Sequence, residues 1–125
     1  MRTEWRGEVR LQIADPARTV IDILDLPRLG GGIRHGADIV AAYLEDHDPA
    51  LLIEYGDRLG NRAVFKRLGY IVEVLGHDGG GLIEACRERL SAGISPLDPD
   101  GPTGGRREPR WRLRVNAHIG REEPA

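Results

Sequence analysis

Apolar and polar residues alternate along "EVRLQI", residues 8–13, where Val9, Leu11 and Ile13 mark the period of two of a half-buried strand. The period then changes. In "DPARTVIDILDLP", Val20, Ile23 and Leu24 recur at helical spacing. Asp15 stands where an N-cap belongs, and Pro16 where the first helical residue lacks an N–H at no cost. Pro27 stops this helix. "RLGGGIRHG" reads as a loop and "ADIVAAYLE" as a second helix. Asp48 and Pro49 repeat the Asp-Pro start and open a third helix through "ALLIEYGDRL". Gly60 suits its C-cap, and Asn61 the N-cap of a fourth helix running from Arg62 to Leu75. There Val64, Leu68, Ile71 and Leu75 form an apolar stripe that Phe65 and Val72 widen. Gly76 ends it, "HDGGG" is a loop, and "LIEACRERL" is a fifth helix.

Beyond Gly93 the pattern breaks. "ISPLDPDGPTGGRREP" is rich in Pro and Gly and reads as a loop. "RWRLRVNAHI" then alternates Trp111, Leu113 and Val115 with Arg110, Arg112 and Arg114, a strand with one apolar and one cationic face. The expected class is α+β: about five helices packed with a small antiparallel sheet formed by the N- and C-terminal strands. Residues 1–8 read as an N-terminal extension, 9–117 as the domain and 118–125 as a flexible tail.

Composition narrows the function classes. The 125 residues fit one domain of ordinary soluble composition. No stretch approaches the roughly 18 apolar residues of a membrane span, and "MRTEWRGEVR" lacks the apolar centre of a signal peptide. A cytoplasmic protein without membrane contact is expected, in keeping with a single cysteine, Cys86, that is expected to be a small buried residue.

Catalytic and metal chemistry find little support. The two Gly-Gly-Gly runs match neither a P-loop nor a dinucleotide fingerprint, which leaves them as connectors. His35 with Asp38, and His77 with Asp78, are pairs where a metal needs three or four ligands. Ser91 and Ser95 lack a G-x-S-x-G setting, and Asp22 with Asp25 reads as a solvated pair. No catalytic residue, cofactor or metal is expected, and no enzyme.

The charge distribution is informative. A formal net charge of −2 hides a basic run, Arg106, Arg107, Arg110, Arg112 and Arg114 against Glu108 alone, and a complementary acidic stretch between Asp15 and Asp57. Arg62, Lys66 and Arg67 crowd the start of the fourth helix, with Lys66 the only lysine. Arg62, Lys66, Arg67, Arg106, Arg107, Arg110 and Arg112 are therefore the candidate binding residues, facing outward to a protein partner or to nucleic acid. The alternative is a solvated helix face together with internal neutralisation of the arginines by the acidic half.

"DPARTVID", "GNRAVFKRLGY" and "LSAGISPLDPDGPTGGRREPRWRLRVN", in that order, resemble the C-terminal domain of AbiEi-type antitoxins, predicted transcriptional regulators of bacterial abortive-infection (type IV toxin–antitoxin) phage-defence operons. The resemblance runs from Val9 to Asn116. It implies a nucleotidyltransferase-like toxin as the partner that the domain counteracts. Full-length members carry an N-terminal winged helix that binds operator DNA; only Met1–Glu8 precede the first strand here, so that element is expected to be absent. The second expectation, from a different class, is an accessory DNA-binding or dimerisation domain of a repressor, holding duplex DNA weakly through its basic residues.

Overall fold

The computed structural model describes residues 15–77 and 81–119. The expected strand over 8–13 and the tail from residue 120 lie outside them, as does any pairing between N- and C-terminal strands. Five helices come first: α1 (Pro16–Asp25), α2 (Ile33–Asp46), α3 (Pro49–Leu59), α4 (Ala63–Leu75) and α5 (Leu82–Arg87). Three short strands follow: β1 (Ser95–Pro96), β2 (Arg106–Glu108) and β3 (Leu113–Val115). The class is α+β.

Local chemistry accounts for the helix ends. Asp15 accepts the Arg18 N–H and Asp48 the Ala50 N–H, each ahead of a proline at the first helical position. Gly60 and Gly76 close α3 and α4 in the left-handed region at φ 85° and 75°, where a side chain would be strained. The cap of the next helix falls one residue later than expected, on Arg62, while Asn61 just before it accepts the Ala63 N–H on its Oδ1 at 3.1 Å.

Three expectations need correction. "RLGGGIRHG" is not all loop: Pro27–Gly30 form a 3-10 turn and α2 already starts at Ile33. The amides of Gly31 and Gly32 are spent on the carbonyls of Arg28 and Pro27, so this run offers no phosphate cradle. The sheet is mixed. β3 lies in the middle, parallel to β1 (Ser95 opposite Leu113) and antiparallel to β2 (Arg107 opposite Arg114). The long cationic strand is also interrupted. Residues 109–112 form a tight turn closed by the Trp111 N–H on the Glu108 carbonyl and the Arg112 N–H on the Pro109 carbonyl. Pro109 supplies the fixed φ of such a turn, and Arg112 completes it at φ 55°.

α4 is the centre of the molecule. Every residue from Val64 to Val72 is buried. Its apolar stripe packs into a core with Val20, Ile21 and Leu24 of α1, Val40 of α2, Leu52 of α3 and Cys86 of α5. Its opposite, polar face is covered by the segment that follows α5. That segment contributes Leu97, Trp111 and Leu113 to the same core, all fully buried.

Cys86 is a structural residue. It is fully buried, and desolvation pushes its thiol from an ordinary 9.0 to about 12, leaving no thiolate for chemistry near neutrality. The sign of the linkage follows: the folded chain holds this proton more tightly than the unfolded chain. The stabilisation is complete below pH 9.0 and is lost as pH rises toward 12. Over that window Cys86 is expected to add a slope of about 1.4 kcal/mol per pH unit to alkaline denaturation. Chemical denaturation of Cys86→Ala against the parent across the same pH range should show that part of the slope missing.

Candidate functional site

The polar face of α4 reads, in order, Arg62, Lys66, Arg67, Gly69, Tyr70 and Glu73, and each of these meets the segment between Arg89 and Leu113. Arg62, at the head of the helix, donates from Nη1 to the Arg89 carbonyl at 3.0 Å. Lys66 donates from Nζ to the Gly93 carbonyl and the Ser95 hydroxyl, both at 2.9 Å. Arg67 donates from Nε to the Pro96 carbonyl at 3.2 Å and from Nη1 to the Leu24 carbonyl at 2.8 Å. Gly69 lies under the Trp111 ring: a Cβ there would fall 2.1 Å from Cζ3. Tyr70 accepts from Arg106 through its hydroxyl at 3.4 Å, and Glu73 receives the Trp111 indole N–H at 2.6 Å and Arg110 Nε at 2.8 Å.

This arrangement overturns the outward orientation expected of Lys66 and Arg67. They are 1% and 4% exposed. Their charges face carbonyls of their own chain because an irregular, Pro- and Gly-rich segment has few main-chain partners of its own, and a long cationic side chain can satisfy several buried carbonyl oxygens at once. Burial lowers the pKa of both. For Lys66 the nearby Arg112 and Arg67 charges lower it further. Arg62 and Arg112 lie exposed but work on the same segment, Arg112 donating from Nη1 to the Ser91 carbonyl at 3.2 Å. Three of the seven candidates, Arg62, Lys66 and Arg67, therefore hold the chain between Arg89 and Pro96 against α4, and a fourth, Arg112, ties the same stretch to the hairpin turn.

The other three, Arg106, Arg107 and Arg110, lie on the hairpin of β2 and β3. Arg106 is held by Glu108 at 3.0 Å as well as by Tyr70, and Arg110 by Glu73. Neither carboxylate leaves these guanidinium groups bare, although all three arginines are exposed. Arg107 points from the other side of β2. There it stands opposite Arg114, its cross-strand partner in the register. The side on which each arginine would fall was legible only once the turn at 109–112 was known.

Other chemistry is sparse. Among the described residues no group of three or more His, Cys, Asp or Glu is placed to hold a metal ion, and no helix is long and apolar enough to cross a membrane. A cleft of about 520 Å³ opens beside Tyr70, Arg106 and Asn116, but Arg106 is already engaged there, and Asn116 is committed to the Asp98 and Pro102 carbonyls. No known family, characterised protein or solved structure matches this chain.

Proposed function

We propose that this chain is a binding module, an antitoxin domain that counteracts a nucleotidyltransferase-like toxin in a bacterial phage-defence system. It would act in the cytoplasm and without catalysis of its own. The observation that carries the reading is the coincidence of the family-like motifs with the architecture. "GNRAVFKRLGY" is α4, and "LSAGISPLDPDGPTGGRREPRWRLRVN" is the segment seated on it, so the two most distinctive stretches are the two halves of one interface. An interface built this way leaves exposed arginines of the hairpin, Arg107 among them, on its outer side, which suits recognition of an acidic protein surface.

The accessory DNA-binding reading loses ground on the same geometry. Lys66 and Arg67 are buried, Arg106 and Arg110 have carboxylates beside them, and the net charge of −2 does not attract a polyanion. A duplex requires neutralisation of several phosphates at once. Expression of the chain together with its cognate toxin, with growth as the readout, tests the proposal: recovery of growth is the expected outcome. Continued arrest with a folded, soluble chain would overturn it and return the domain to an accessory role.

A further inference from the structure

The outer face of the sheet carries a pair of arginines in an arrangement that strand geometry makes unfavourable. In β3 the carbonyls of Arg112 and Arg114 receive the N–H groups of Ser95 and Leu97 from the β1 side, at 3.1 and 3.0 Å. Leu113 and Val115 therefore turn their main-chain groups toward β2, which makes Leu113–Glu108 and Val115–Arg106 the hydrogen-bonded pairs. Arg107–Arg114 is then the narrow, non-hydrogen-bonded pair between them, the position at which opposing side chains come closest, and like charges directly opposite one another are destabilising. Leu113 and Val115 fix which face this is. Leu113 is fully buried and Val115 packs against the core, so Arg107 and Arg114 lie on the opposite side, away from α4.

Neither guanidinium forms a hydrogen bond or an ion pair with another described residue, and Arg114 Nε is buried with no acceptor among the described residues. Every other arginine of the hairpin has one: Arg106 on Glu108, Arg110 on Glu73, Arg112 on the Ser91 carbonyl. Two like-charged side chains directly opposite one another on a narrow strand pair repel until an anion neutralises them, and a guanidinium fork is suited to a carboxylate.

We propose that the Arg107–Arg114 pair on the outer face of the sheet is the docking point for a carboxylate-bearing segment of a protein partner. The inference rests on the reading of the domain as a protein-binding module. Carboxylate is favoured over the phosphates of nucleic acid by charge count. The pair supplies two uncommitted cations on a chain of net charge −2, with Glu108 of the hairpin and Glu73 of α4 already taking up Arg106 and Arg110. Two forked guanidinium groups match one or two carboxylates, whereas a duplex rewards a longer basic track.

The test is titration of the isotope-labelled chain with hexaglutamate, with a short DNA duplex and with inorganic phosphate, following the arginine Nε–H resonances. Hexaglutamate is expected to shift Arg107 and Arg114, with Arg34 of α2 unmoved, and Arg107→Gln and Arg114→Lys should each weaken its binding by about fivefold, the scale of one partly exposed ion pair. Arg107 is exposed, so Arg107→Gln is expected to keep the fold and to carry the test alone should Arg114→Lys unfold. Equal shifts at Arg34, tighter binding of the duplex or of phosphate, or no response at the pair would each overturn the proposal. Growth rescue by the parent chain reads the antitoxin function separately: rescue without any hexaglutamate response rejects this site alone, and a hexaglutamate response without rescue rejects the antitoxin reading alone.

Discussion

Replacing Gly69 with Ala is expected to destabilise the protein by about 2–4 kcal/mol, against the gain that Ala ordinarily brings to a helix interior. The added Cβ would stand 2.1 Å from Trp111 Cζ3 and 2.3 Å from Cη2, inside the van der Waals radius of a ring that cannot bend away. Trp111 is fully buried and its indole N–H is fixed on Glu73, so either the helix or the hairpin must shift. Trp111→Ala alone should cost about 3–5 kcal/mol, the range for removing a large buried aromatic side chain. In that background Gly69→Ala should change sign and stabilise by about 1 kcal/mol, because the clash is gone and only helix propensity remains. A double-mutant cycle by denaturant unfolding measures this coupling; additive effects would mean that Trp111 does not rest on Gly69.

Arg67→Met is expected to be the other costly substitution, at about 2–4 kcal/mol. The side chain is 4% exposed and donates in two directions, to the Leu24 carbonyl at the end of α1 and to the Pro96 carbonyl in β1. The last carbonyls of a helix have no partner within it, and a cation there also meets the negative end of the helix dipole. Methionine fills much of the volume but leaves both oxygens buried without a donor. Arg67→Lys should recover only part of the loss, since an ammonium lacks the fork that reaches both. A thermal midpoint roughly 5–12 °C below the parent is the expected reading for Arg67→Met in a chain of this size. A midpoint within 2 °C or so would show that the two carbonyls do not depend on Arg67.

The helices themselves, and the boundaries set by Asp15-Pro16, Asp48-Pro49, Gly60 and Gly76, were the legible part of the sequence, because those residues act through bonds within a few positions; the start of α2 at Ile33 and the end of α5 at Arg87, which lack such signals, were not. What was illegible depended on contacts between distant segments. Lys66 and Arg67 have the spacing of a solvated face, and only a partner segment about 30 residues away in sequence converts that face into a seat. One local signal did point to it. Gly69 interrupts a long, regular helix on its polar side, and a glycine there usually marks a close approach. Pro109 was the corresponding signal for the hairpin, since it favours a turn where the alternation of Trp111 and Leu113 suggested continuous strand. The pairing of Arg107 with Arg114 follows from that turn and was beyond reach without it.

Arg62, Lys66 and Arg67 seat the C-terminal segment on α4, and the proposed docking pair, Arg107 and Arg114, stands on the outer face of the sheet. Growth rescue at matched soluble expression tests this division of roles most directly, with the parent chain, Arg62→Gln and the double variant Arg107→Gln/Arg114→Gln each expressed beside the cognate toxin. The parent and Arg62→Gln should restore growth, and the double variant should not while its thermal midpoint stays at the parent value. Full rescue by the folded double variant, or loss of rescue in folded Arg62→Gln, would contradict the account.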